Sequence, residues 1–210
     1  MARIFIATSN RGKLRDFAAA AGVSVQVAAV PGFAELPSVA EDAPAFAGNA
    51  RKKAEHYSRL LPQELVLADD SGLEVEALGG APGVLSARYA ATAGDSNSTD
   101  AANNARLLRE MQAVVEEQRG ARFVCVISAA RDGQELAAFR GEAQGRILHE
   151  PRGSGGFGYD PLFYFPALHK TFAELSPEEK AAVSHRGQAF RKFLEWWKKQ
   201  SAISNQPGKA

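Results

Sequence analysis

The run Leu65-Val66-Leu67-Ala68, four apolar residues leading straight into Asp69-Asp70-Ser71-Gly72, constrains this chain more than any other segment. A short apolar run bounded by polar residues reads as a buried strand. Two adjacent carboxylates are then expected at the strand's carboxyl end, where they repel each other and where unpaired burial is costly. Two arrangements relieve that cost. The aspartates can cap a turn through backbone N–H groups, or they can hold a cation, since hard oxygen ligands suit Mg²⁺. A strand of this kind also needs a core to run through, and 210 residues provide one.

The surrounding segments alternate in kind. Arg3 to Ala7 reads as a strand, Leu14 to Ala21 as a helix stopped at Gly22, and Ser24 to Ala29 as a second strand. Pro31 to Pro44 is a polar loop carrying Glu35, Glu41 and Asp42, and Ala45 to Leu61 has helical spacing. Gly79 to Ser98 is rich in Gly, Ala and Ser, and Thr99 to Glu117 reads as a helix. Arg122 to Ala130 and Glu135 to Ile147 read as strands joined at Asp132-Gly133, a favoured hairpin turn. The last helix starts near Ser184 and passes through Trp196-Trp197, leaving 201–210 as a frayed tail. No repeat or linker divides residues 1–200. The expectation is one α/β domain on a mixed sheet.

Charge and cysteine content exclude several classes. Lys and Arg number 25 against 24 Asp and Glu, a net charge of +1, so nucleic-acid binding by bulk charge is not expected. The single cysteine, Cys125, excludes an internal disulfide or a Cys-rich zinc site, and its apolar strand marks it as an inert core thiol. No run approaches the roughly 18 apolar residues of a membrane span. The N-terminal residues read as a first strand rather than a secretory signal, so a cytoplasmic protein is expected.

Three polar constellations remain. Thr8-Ser9-Asn10-Arg11-Gly12-Lys13 lies between a strand and a helix, where free N–H groups attract anions and where Lys13 is misplaced unless it answers one. Helix capping by Ser9 or Asn10 is the plainer reading. Gly153-Ser154-Gly155-Gly156-Phe157-Gly158 spells G-x-G-x-x-G, but Tyr159-Asp160-Pro161 follows where a dinucleotide fingerprint needs a helix. The loop is better suited to close backbone approach to a ligand, with Phe157 able to stack on a base or simply to pack. Lys180, His185 and Arg186 cluster before the last helix as donors for acceptor groups, or as a solvated face capped by Ser184. His56, His149 and His169 have no ligand-like spacing, and neither a P-loop pattern nor a recognisable Ser/His/Asp arrangement occurs.

In order, Ala7–Lys13, Phe46 to Asn49-Ala50 and Lys53-Ala54, Ala68–Leu73, Leu78–Val84 with Ser86–Tyr89, Gly156–Pro161 and Ser184–Gly187 resemble the inosine/xanthosine triphosphate pyrophosphatase family. Glu174 and Lys180 lie between the last two blocks, and the likeness spans residues 3 to 195. The resemblance implies an elongated, two-lobed mixed-sheet fold with a central substrate cleft, a homodimer, and Mg²⁺-dependent hydrolysis of ITP, dITP and XTP to monophosphate and pyrophosphate. By the same resemblance Thr8, Ser9, Asn10, Arg11, Gly12 and Lys13 bind triphosphate, and Lys53 is a further phosphate contact. Asp70 is the proton acceptor and a metal ligand, Glu41 is the other metal ligand, and Ser71 contacts substrate. Phe157, Gly158, Tyr159, Asp160, Lys180, His185 and Arg186 form the base-binding segments. Donor-only Lys180 and Arg186 would favour the 6-carbonyl of inosine and xanthosine, with guanine's 2-amino group rejected near Asp160 or Arg186. One departure is visible: Gly48 stands where many family members have Glu. The alternatives are, among enzymes, a related pyrophosphatase for pyrimidine or methylated nucleotides and, in a different class, a non-catalytic nucleotide sensor or binding module.

Overall fold

The computed structural model describes residues 3–23, 25–91 and 97–204. Its strands are β1 (Arg3–Ile6), β2 (Gln26–Ala29), β3 (Val66–Val75), β4 (Gly120–Arg131), β5 (Gln134–Ile147), β6 (Phe163–Phe165) and β7 (Lys170–Thr171). The helices are α1 (Arg11–Ala21), α2 (Phe46–Arg59), α3 (Asp100–Glu110), α4 (Pro177–Val183) and α5 (His185–Ser204). One mixed sheet runs β2-β1-β3-β4-β5-β6-β7. β2, β1 and β3 are parallel, as a strand-helix-strand start requires, and the remaining pairings are antiparallel. Asp132 and Gly133 turn the β4–β5 hairpin with φ of 50° and 81°, the left-handed pair that a two-residue hairpin demands.

Alternation along β1 and β3 decides which helix covers which face. Ile4, Ile6, Leu65 and Leu67 pack with Phe17 of α1 and with Phe190 and Phe193 of α5. Phe5, Ala7, Val66 and Ala68 point the other way, onto Ala54 and Tyr57 of α2. The long strands β3, β4 and β5 then run on into a second core of Leu73, Val75, Phe123, Ile147, Phe163 and Phe172, closed by Leu107 and Met111. Two cores strung along the same strands make the fold two-lobed.

Three boundaries differ from the sequence reading. β3 does not stop at Ala68; it continues through Asp69-Asp70-Ser71-Gly72 to Val75, paired with β4 throughout, so the acids lie mid-strand and form no turn. The antiparallel partner supplies the ladder that the apolar run alone did not reveal. The helix expected over 99–117 ends at Glu110, because buried Arg119 draws the carbonyls of Met111 and Val114 to its guanidinium and the carbonyls of Ile147 and Leu148 as well. The last helix extends to Ser204, four residues into the expected tail; 205–210 lie outside the described residues, as do Ser24 and 92–96 of the Gly/Ala/Ser-rich stretch. Among the described residues no helix is long and apolar enough to cross a membrane.

Candidate active site

β1 accompanies β3 only as far as Ile6 beside Leu67. Beyond that point β3 loses its parallel neighbour, and the loop from Thr8 to Lys13 stands where the neighbour would be. The edge left open is the floor of a cleft of about 370 Å³. Successive side chains of a strand point to opposite faces, so the pleat separates the two aspartates. Asp69 and Ser71 turn toward α1 and α5, while Asp70 turns toward α2. That separation is how the fold relieves the repulsion expected between adjacent carboxylates.

On the first face, Lys13 Nζ lies 2.9 Å from Asp69 Oδ2, and Ser71 Oγ donates to the same oxygen at 2.9 Å. Arg186 Nη2 donates to Ser71 Oγ at 2.8 Å and stands 3.6 Å from Asp69. On the second face, Asn49 Nδ2 donates to Asp70 Oδ2 at 3.0 Å, and Lys53 Nζ lies 3.4 Å from Asp70 Oδ1 and 2.8 Å from Glu41 Oε2. Asn49 also accepts from Ala43 N–H, and Arg88 donates to the Glu41 carbonyl, so the acid-bearing loop is tied down beside Asp70. Gly48 precedes Asn49, and a Cβ there would come 2.7 Å from that of Ala43, so the loop packs closely against the start of α2.

The two faces push the aspartates apart electrostatically. Burial raises the Asp69 carboxyl, but Lys13, Arg186 and Lys53 outweigh it and hold Asp69 well below the usual carboxylate range. For Asp70 burial prevails over Lys53, Lys13 and Asn49, and its carboxyl is raised. Burial opposes ionisation of Glu41 too, yet Lys53 brings it below its ordinary value. The two adjacent carboxylates are thus shifted in opposite directions, Asp69 down and Asp70 up.

The far end of the cleft is built by three other elements. Phe157 packs over α1: a Cβ at Gly12 would lie 2.5 Å from Phe157 Cδ1, so only glycine admits the ring. Lys180 Nζ and Arg186 Cζ stand 4.9 and 5.5 Å from its centroid, within cation–π range. Asp160, raised by burial, accepts from Lys180 at 2.6 Å and from Phe157 N–H at 2.9 Å. His185 stacks on Phe123 with centroids 4.7 Å apart, and burial together with Arg186 and Lys180 holds its imidazole well below the ordinary value. Asp16 of α1 accepts from Arg186 Nη1 at 2.7 Å and lies 3.4 Å from Lys180, joining α1 to α4 and α5.

Most of the residues singled out in the sequence come together here. Thr8, Ser9, Asn10, Lys13, Glu41, Lys53, Asp70, Ser71, Phe157, Gly158, Tyr159, Asp160, His185 and Arg186 all line the cleft. Three do not. Arg11 is exposed on the first turn of α1, Gly12 is buried beneath Phe157, and Lys180 is buried behind Asp160. Asn10 is also the helix cap, its Oδ1 accepting from Lys13 N–H at 3.0 Å. Asn49 and Arg88 received no role from the sequence although they lie inside the family-like blocks, and Asp69, there paired with Asp70 as a turn cap or cation ligand, instead binds Lys13. Asp16 and Asp100 lie in none, and only the fold brings them to the site. Among the described residues no three His, Cys, Asp or Glu side chains are grouped to hold a metal ion. Glu41 and Asp70 are the acidic oxygens that flank Lys53.

With this geometry goes a match over almost the whole chain: residues 4–196 fit the model of the Ham1 family. The chain belongs to the Ham1 family. It is 53% identical over 196 residues to the dITP/XTP pyrophosphatase of Acidobacterium capsulatum, covering 91% of this chain and 96% of that one. It is 50% identical over 198 residues to the dITP/XTP pyrophosphatase of Geobacillus kaustophilus, covering 94% and 95%. The Ham1 protein of Staphylococcus aureus superposes with a TM-score of 0.79 at 39% identity, covering 94% of this chain and 99% of that one.

Proposed function

We propose that this chain hydrolyses the nonstandard purine nucleoside triphosphates ITP, dITP and XTP to the monophosphate and pyrophosphate, removing them from the nucleotide pool before they enter DNA or RNA. The observation that carries this reading is the separation of the acidic pair, with Asp69 committed to Lys13 and Arg186 and Asp70 left with a raised carboxyl beside Lys53 and Glu41. The names of the Acidobacterium and Geobacillus relatives support the substrate class.

A triphosphate carries about four negative charges. Lys13, Lys53 and the N–H groups of the Thr8–Lys13 loop and the first turn of α1 offset them. Asp70 takes the proton of the attacking water as its oxygen bonds to the α-phosphorus; the bond from that phosphorus to the α,β-bridging oxygen breaks, and pyrophosphate leaves with the electron pair. Burial suits Asp70 to this role by raising its proton affinity. Glu41 and Asp70 would hold Mg²⁺, and the donor set fits: two hard carboxylates, with substrate phosphates and water completing the shell as Mg²⁺ prefers. When bound, the ion supplies further stabilisation of charge developing on the phosphates.

At the base end, Arg186 is donor-only and lines the cleft, so it rewards the 6-carbonyl of hypoxanthine or xanthine over the 6-amino group of adenine. Lys180 serves the same end through Asp160 rather than by contact. Each mispaired polar group is worth about 1–3 kcal/mol. The working enzyme is a cytoplasmic homodimer on the family likeness, and its near-neutral charge suits a single nucleotide rather than a polymer.

Asp70→Asn should abolish pyrophosphate release from dITP with Mg²⁺ present while leaving the melting temperature within a few degrees of the parent. In a panel of nucleoside triphosphates the parent should prefer ITP, dITP and XTP. Near-normal turnover by the variant would remove Asp70 from the role, and a preference for dTTP or UTP would overturn the substrate class.

A further inference from the structure

Phe157 lines the cleft from a loop in which four of the six residues 153–158 are glycine. Such a backbone does not hold a ring in place by itself, because glycine carries the largest conformational freedom of any residue. The preceding peptide is fixed by Asp160, which accepts from Phe157 N–H at 2.9 Å. The following residue is fixed from outside the loop. Gly158 N–H donates to Asp100 Oδ2 at 2.7 Å, and Gly158 C=O accepts from Asn104 Nδ2 at 3.0 Å. Asp100 and Asn104 sit one helical turn apart on α3, so they grip both polar groups of one residue from a single helix face.

From this geometry we infer that Asp100 and Asn104 are positioning residues that set the Phe157 wall against the purine, and so determine base affinity without touching the reacting phosphates. The inference rests on the nucleotide reading proposed above. Asn104 Oδ1 is buried without a hydrogen-bond partner among the described residues, so the amide reaches the Phe157 loop through its Nδ2 bond to Gly158. Asp100 has an ordinary structural role available, as an acid in the first turn of α3 where the helix dipole favours it. The two roles separate cleanly. Asparagine retains an acceptor for Gly158 N–H but gives up the charge, whereas alanine gives up both.

The test uses the full chain with Mg²⁺ and measures steady-state kinetics on dITP together with inhibition by inorganic pyrophosphate, which has no base. Asp100→Ala and Asn104→Leu should each raise KM for dITP about five- to tenfold, the worth of one well-made hydrogen bond, with kcat changed less than twofold. Pyrophosphate inhibition should be unchanged. Asp100→Asn should recover most of the parent KM, and Asn104→Leu should melt no lower than the parent. Equal losses for Asp100→Asn and Asp100→Ala would return Asp100 to the helix dipole. Unchanged KM in both truncations, or weaker pyrophosphate inhibition alongside the weaker dITP, would overturn the positioning role. A parent that fails to turn over dITP would instead defeat the nucleotide reading, so the two failures are distinct.

Discussion

His185 is one residue whose chemistry is set wholly by its surroundings. Its ring lies flat on Phe123 and close to parallel with Phe172, and burial, then Arg186, Lys180 and Lys13, disfavour its cationic form, outweighing Asp69, which favours it. The folded-state proton affinity is therefore below the unfolded value of 6.5. Above that pH both states are neutral and the histidine leaves stability unchanged. As pH falls below it, the unfolded chain binds a proton that the folded chain refuses, and stability is lost at up to about 1.4 kcal/mol per pH unit. Between about pH 7.5 and 5.5 this group should therefore lower the Tm. His185→Gln should show a smaller fall in Tm over the same interval. In the parent, the NMR ring shifts of His185 should show it titrating below 6.5. A His185 ring that titrates near 6.5 would show that the stacked pocket admits the cation.

Arg119 shows what an element's end can hide from the sequence. The apolar residues Leu107, Met111, Val114 and Val115 keep a helical period beyond Glu110, yet α3 stops there because one buried guanidinium gathers carbonyls from the helix end, the turn after it and the end of β5. Arg119→Met should leave those carbonyls short of donors and destabilise the fold by about 3 kcal/mol or more, read as a lower urea midpoint with an unchanged slope. A loss under about 1 kcal/mol would mean that water replaces the guanidinium. Periodicity reads local burial but not a partner some 30 residues away, and β3 shows the same limit. Its apolar half, Val66 to Ala68, was legible; its polar half, Asp69 to Gly72, is a strand only because β4 lies beside it. The site divides along that line. The Thr8–Lys13 loop, Asp70, Glu41 and the Phe157 loop carry local or family signals, whereas Asp16 and Asp100 are ordinary acids on helix surfaces until α5 and the Phe157 loop fold against them.

For the molecule as a whole, the cleft lies at the seam between two cores that share β3 and β4. Lys13, Lys53 and Asp70 belong with the β1–α2 side, while Phe157, Tyr159 and Asp160 belong with the core of Phe163 and Phe172. A nucleotide spanning the seam would touch both, so its binding free energy adds to the stability of the entire fold rather than of one lobe. The product monophosphate offers a clean probe because it is not consumed. With inosine monophosphate at 100 times its Kd, the folded state should gain about 2.7 kcal/mol. For a chain of this length that corresponds to a Tm rise of roughly 5–10 °C in a single cooperative transition. Adenosine monophosphate at the same concentration presents an amino donor to the donor-only Arg186 and should raise Tm by less than about 2 °C. Equal shifts for the two nucleotides would place discrimination in the chemical step rather than in the base end of the cleft. A split transition, with only one component moved by inosine monophosphate, would show that the two cores unfold independently and that the shared strands do not couple them.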